Sequence, residues 1–568
     1  MTFQNDITFT LGQYQGLVDQ ALAEIRDEQV IARIWAHDHT VWKPEPAEIT
    51  NRLGWLQSPQ VMADSVQRLR PFADTVRAEG YTHALLLGMG GSSLAPEVFR
   101  KAFGVKEGYP DLAVLDSTMP GAVLALADGL DPKRTIVIVS TKSGTTVETL
   151  SLFKFFYNWM ADAVGAEEAG KRFIAITDPG SPLLDIGTRY HFRLGFLNAP
   201  AMGGRYAALS SVGLAPAALI GVDIGQLLDH ALAMARRCKP AGTTKEAVNP
   251  GALLGAVVGE LAKAGRDKVT FVMSSQIASF GVWLEQLIAE STGKEGKGIL
   301  PVIGEDIGAP GEYGEDRLFI HLSLEGDTTA DAALAALEEA GHPIVRVSLR
   351  DPYDLGEQVF LWEMAIAVAG HRLGINPFDQ PDVEAAKSIA RQAVDKYKKK
   401  GALPLETPNL IKDGIEVYGR VAAAQPAEAL MAFLAQAEPG SYAALQAFLE
   451  PTPAIDAALQ ALRMGLRNRF RLATTIGYGP RFLHSTGQLH KGDAGKGLFI
   501  QFTCDDPRDA AIPDEAGSAA SSITFGILKA AQALGDRRAL KAAGRRVIHF
   551  HLGKDAVRGL KILSQAVL

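Results

Sequence analysis

Residues 134–150 read RTIVIVSTKSGTTVETL: an apolar run with five β-branched residues passes into small hydroxyls, one lysine and one glycine, and then into a helical pattern. A continuous run of this kind, bounded by turn residues, predicts a strand buried on both faces. TTVETLSLFKFFYNWMADAVG predicts a long helix behind it. The same construction stands upstream, where HALLLGMGGSS (83–93) predicts a strand entering a glycine turn and SLAPEVFRKAFG a helix. DLAVLDS, RFIAITD and HFRLGFL predict three further strands, with PGAVLALADGL a helix between the first two apolar runs. Short apolar strands alternating with helices predict an α/β fold with a doubly wound, mostly parallel sheet.

Working outward, residues 1–79 read as helices, the last of them closed by Gly80. Residues 80–215 form the first lobe. Residues 216–400 repeat its alternation with KVTFVMSS, RLFIHLSL and HPIVRVSL as strands, and predict a second lobe. After the charged linker KKKGALPLETP, residues 401–568 predict an additional α/β region: helices to about 465, then RLATTIGYG, GLFIQFT and RRVIHFHLG as strands. The stretch LKAAQALGDRRALKAAGRR reads either as a covering helix or as the surface of a homodimer.

At 568 residues the chain is too long for one core. A net charge of −7 gives no basic face, so nucleic acid is not an expected partner. No window approaches about 18 uninterrupted apolar residues, so no membrane partner is expected. The two cysteines, Cys238 and Cys504, have no ligand or disulfide spacing. With no signal-peptide pattern at the start, a cytoplasmic location is expected. HFH (549–551) puts two imidazoles on one strand face; with no third ligand at spacing it reads as a core or edge feature, and neither metal nor cofactor is expected.

Ligands of open parallel sheets bind beyond the strands' carboxyl ends. Two such ends here are built alike. Gly88, Gly90 and Gly91 let backbone N–H groups approach an anion and are followed by Ser92 and Ser93; Ser140, Thr141, Lys142, Ser143, Thr145 and Thr146 crowd the next helix start. A helix N-terminus offers unpaired N–H groups and partial positive charge, and the hydroxyls add donors. Helix capping and turn formation would explain either loop by itself. Two in one sheet, one carrying a lysine, predict a phosphate cradle for a small phosphorylated molecule. Neither is a P-loop, and GMGGSS lacks the third glycine of the dinucleotide fingerprint.

The two loops resemble the sugar isomerase domain. Three further stretches narrow the resemblance to the phosphoglucose isomerase family: MGGRYAALSSVGL (202–214), QLIAESTGK (286–294) and GINPFDQPDVEAAK (374–387). The flanks RIWAHDHTVW and GYGPRFLHSTGQLHKG resemble the isomerase half of transaldolase fusion proteins; no transaldolase segment precedes Met1, so only the isomerase half is inferred. The resemblance implies two sugar isomerase lobes and interconversion of glucose 6-phosphate and fructose 6-phosphate through ring opening and a cis-enediolate.

It also implies roles. Glu290 is the base between C1 and C2, a task suited to a carboxylate whose proton affinity is raised by partial burial. Gln286 stands one helical turn back on the same face. Arg205 stabilises the enediolate, since a guanidinium stays charged and forks onto two oxygens. Gly91, Ser92, Ser140, Thr141, Lys142, Ser143 and Thr146 bind the phosphate, while Gln380 and Lys387 hold the sugar and assist ring opening. Ala207 replaces the family's usual hydroxyl, and Pro381-Asp382 its usual residue-glycine pair. The ring-opening histidine lacks its family context; His490, or else His484, from this chain or a neighbouring subunit, is the expectation. The competing readings are a phosphosugar-binding sensor, which predicts a missing base, and a sibling isomerase acting also on mannose 6-phosphate.

Overall fold

The computed structural model describes residues 2–3, 7–199, 201–240, 249–404 and 406–568. Three large sheets organise them, beside a two-stranded pair of Ala511–Ile512 and Ile523–Thr524. The first has five parallel strands in the order Asp111–Leu115, His83–Leu87, Thr135–Ser140, Phe173–Thr177, Leu194–Leu197. Its central strand, Thr135–Ser140, is buried at every residue, as the continuous apolar run requires. Helices Leu94–Phe103 and Val147–Val164 follow the two glycine- and hydroxyl-rich turns.

In the second sheet the parallel strands run Ile344–Leu349, Arg317–Leu324, Lys268–Met273, Leu300–Val302. Ile7–Thr10 adds to its edge, antiparallel to Ile344–Leu349. The expectation of helices throughout residues 1–79 is corrected at this point: ITFT alternates polar and apolar residues and pairs far away in sequence, a contact that no local helical pattern discloses. Thr2–Phe3 pairs antiparallel with Ile7–Thr10, and the α-helices of the segment are Gln15–Asp27, Val30–Trp35 and Ser58–Ala78.

The third sheet runs Leu410–Lys412, Ile415–Tyr418, Arg546–His551, Gly497–Thr503, Tyr442–Phe448, Ala473–Tyr478, with the last four strands parallel. Helices to about 465 are therefore corrected as well. YAALQAF, rich in the strongest helix former, is a fully buried strand, because both faces of that sheet are covered. Among the described residues no helix is long and apolar enough to cross a membrane.

The three parts are welded by packing. One apolar core runs from Val18 and Trp55 through Leu86 and Ile138 to Leu254, Ile320 and Phe360. The third region has its own core around Leu445, Leu459, Ile500 and Ile548. It also closes on both lobes. Ala289 and Val302 pack with Tyr442, Leu489 and Phe499, while Leu85, Val137 and Phe156 pack with Ile512, Phe525 and Leu528. Helix Phe525–Ala542 is buried along most of its length and lies against helix Glu384–Lys400. Of its two readings, the structure shows the covering helix.

Candidate active site

The 88–93 turn behind the first sheet touches the 202–214 stretch directly. A Cβ on Gly91 would stand 2.1 Å from the Gly204 carbonyl oxygen, so only glycine lets the 88–93 turn close on the loop that carries Arg205. Ser93 donates to Asp116 (3.0 Å) and to the Gly90 carbonyl, which fixes the turn; Ser92 stays half-buried beside it. The 140–146 turn is braced by its own hydroxyls, Thr141 with Thr146 and Ser143 with Thr145, both at 2.9 Å. Ser140 Oγ is buried and has no hydrogen-bond partner. Lys142 Nζ lies 3.5 Å from Asp178. Burial raises that carboxyl above its ordinary range, and Lys142 pulls it back.

Arg205 is almost fully buried and its guanidinium is spent across the site. It donates to Ser291 Oγ (2.8 Å), to Gln380 Oε1 (3.1 Å) and to the carbonyls of Pro377 and Asp379, and it lies 3.3 Å from Glu290 Oε1. Glu290 ends helix Phe280–Thr292, 14% exposed, with Gln286 Nε2 donating to its other oxygen at 3.0 Å. A largely buried carboxylate between one guanidinium and one amide has its charge matched. Gly293 ends this helix, and a Cβ there would meet Leu489 Cα at 2.3 Å; the third region presses directly on the turn behind Glu290.

The 377–387 stretch is held from both sides. Lys294 Nζ pairs with Asp379 Oδ1 at 2.8 Å. Burial and the neighbouring Arg205 push this lysine down to about 8, against the opposing pull of Asp379. Gln488, from the third region, donates to Asp382 Oδ2 and accepts from Asp382 N, which gives the departing Pro381-Asp382 pair a structural partner. Lys387, in the first turn of helix Glu384–Lys400, lines a cavity of about 520 Å³ with Ser143, Thr146, Glu148, His484 and Gln532.

The histidine expectation is corrected. His490 does not reach this cavity. It is buried among Tyr442, Phe482 and Phe499, its Nε2 has no partner, and burial pushes its pKa well below the ordinary imidazole value. The short helix Gly487–Gly492 turns it toward the third sheet. His484, on the turn Arg481–His484 of the same chain, faces the cleft instead. Its Nε2 lies 3.0 Å from Glu148 Oε1, and its backbone carbonyl accepts from Gln286 Nε2 at 2.8 Å. A carboxylate only accepts, so Nε2 carries the proton. Glu148, Gln488 and Gln532 went unnamed as site groups in the sequence reading; Glu148 alone had a signal there, the first turn behind the hydroxyl run.

A second cavity of about 450 Å³ is lined by Lys268, Lys297, Arg372 and Lys496, but these pair with Asp267, the Leu373 carbonyl, Glu260 and Glu438. His549 and His551 both bond the Thr503 hydroxyl, a shared strand-face contact. Among the described residues one cluster has metal-ligand proximity, His230, Asp354 and Glu357; its carboxylates are matched by Arg350 and Arg237.

Residues 55–300 match the family described as phosphoglucose isomerase. A glucose-6-phosphate isomerase of Rubrobacter xylanophilus is 30% identical over 436 residues, covering 68% of this chain and 97% of that relative. One of Streptococcus pyogenes is 30% identical over 387 residues, 59% of this chain and 85% of that one. The crystal structure of a glucose-6-phosphate isomerase from Chlamydia trachomatis shares the fold, with a TM-score of 0.59 at 18% identity over 69% of this chain and 89% of that one. By its sequence along nearly the whole of the Rubrobacter relative, and by its fold, this chain belongs to the phosphoglucose isomerase family.

Proposed function

We propose that the chain interconverts glucose 6-phosphate and fructose 6-phosphate, with Glu290 as the base. The observation that carries this reading is the convergence, within one chain, of Glu290, Gln286, Arg205 and Gln380 with the hydroxyl-rich 140–146 turn and the cavity lined by Lys387 and His484.

The phosphate is held by the N–H groups and hydroxyls of residues 140–146, with Lys142 as the neutralising charge and Gly91 and Ser92 closing the other side. Ring opening needs a proton moved between the ring oxygen and the C1 or C2 hydroxyl. His484, charge-supported by Glu148, and Lys387 are the groups on the cavity wall that do this. Glu290 then takes the C2 proton and returns it to C1, and its mobility is limited by Gln286. The cis-enediolate oxygens meet Arg205, whose positive charge is present before the reaction begins and needs no reorganisation. Unpaired Cys238 and Cys504 suit a reducing, cytoplasmic compartment.

The test is a coupled assay of fructose 6-phosphate conversion with wild type and Glu290→Gln. Turnover in wild type and a loss of about 10³-fold or more in the variant are expected. A wild type that binds the phosphosugar without turning it over would put the sensor reading in place of this one.

A further inference from the structure

We propose that Gln532 is a positioning residue for the ring-opening step: its amide anchors the Glu148 carboxylate, and through it His484, at the cleft. The inference rests on the isomerase reading and goes beyond the residues that reading uses.

Four elements meet at this point. Glu148 opens helix Val147–Val164, His484 ends the turn Arg481–His484, Thr118 follows strand Asp111–Leu115, and Gln532 sits in the middle of helix Phe525–Ala542. Glu148 Oε1 receives two donors, His484 Nε2 at 3.0 Å and Gln532 Nε2 at 2.7 Å. Thr118 Oγ1 donates to Gln532 Oε1 at 2.7 Å. Because the carboxylate can only accept, the amide nitrogen must face Glu148, and the threonine hydroxyl holds the amide in that sense. Glu148, Thr118 and Gln532 are all buried.

A buried carboxylate with one donor would be free to swing toward Lys387, a cation on the same cavity wall whose charge it already feels. The second donor removes that freedom. Burial would raise Glu148, yet the His484 charge and hydrogen bond outweigh it and hold the carboxyl below its ordinary range. The imidazole therefore meets a fixed anion rather than a mobile one. This gives the covering helix of the third region a place in the chemistry, although Gln532 need never touch the sugar.

The experiment compares wild type, Gln532→Leu, His484→Ala and the double variant by steady-state kinetics and thermal melting. Gln532→Leu is expected to lower kcat about ten- to a hundredfold, the size of a hydrogen bond to a charged group, with KM changed less than about twofold. In the His484→Ala background the same replacement should cost less than about twofold, because what it positions is gone. Gln532→Glu should keep activity at low and neutral pH, since two adjacent carboxyls share one proton and so retain a donor, and lose it as pH rises. If Gln532→Leu does not fold, Thr118→Val, which frees the amide to turn, should give a smaller loss of about threefold that is again absent without His484. An equal loss in both backgrounds, or none in either, overturns the inference while leaving the isomerase reading intact. An inactive wild type overturns both.

Discussion

In the first lobe, the groups at the cleft follow strands His83–Leu87 and Thr135–Ser140 and are mostly neutral donors: glycine N–H groups, serine and threonine hydroxyls, and one lysine. In the third region, the groups that follow strand Ala473–Tyr478 and line helix Phe525–Ala542 are an imidazole and an amide tied to a buried carboxylate. The same architectural position thus serves two purposes. On the proposed reading, the first lobe would hold an anion through ground state and transition state alike and so govern KM, while the third region would steady the proton-moving groups and so govern kcat.

The largest effect expected of this division is at His484. His484→Ala should lower kcat by about 10²- to 10³-fold with little change in KM, measured in the fructose 6-phosphate assay. Lys142→Met should do the reverse, raising KM about tenfold for loss of one charge at the phosphate while kcat changes less than about threefold. A kcat effect at Lys142 as large as that at His484 would break the comparison.

Next in size is a pH effect. With Lys294 pushed down to about 8, its charge is lost as pH rises through that value, and with it the pair to Asp379 that steadies the Gln380 turn. A pH–rate profile should therefore show kcat declining above about pH 8, and Lys294→Arg, which keeps its charge, should carry that limb to higher pH.

The smallest effect on activity is expected at His490. His490→Phe should leave kcat within about twofold, since the ring lies among Tyr442, Phe482 and Phe499 away from the cavity. Its effect is on stability. The folded-state pKa lies well below the unfolded value of 6.5, so below that pH the unfolded chain takes up a proton that the folded chain refuses. Stability from this group is lost as pH falls below the ordinary imidazole value, and acid unfolding of His490→Phe should be correspondingly shallower.

The two histidines also show where sequence reading stops. HSTGQLH places both near the cleft, but which of them faces it is decided by a 3-10 turn followed by a six-residue helix, whose combined rotation no periodicity announces. The first lobe is legible because its strands are continuous apolar runs and its turns carry residues chosen for close anion approach. In the third region, YAALQAF hides a central strand behind helix-forming alanines, and Ile7–Thr10 hides an edge strand whose partner is more than 300 residues away. Glu148 was within reach of the sequence, one residue into a helix that opens on a hydroxyl run. Gln532 was not, because its significance comes from Thr118 and Glu148, which meet it only in the folded chain.

The most direct test of the account is isomerisation of fructose 6-phosphate in D₂O, with deuterium at C2 of the product followed by mass spectrometry for wild type and Glu290→Gln. Deuterium is expected to enter at C2 during wild-type turnover, with neither turnover nor label in the variant under the same conditions. A Glu290→Gln protein that still isomerises and labels C2 would contradict it, and would place the base elsewhere in the cleft.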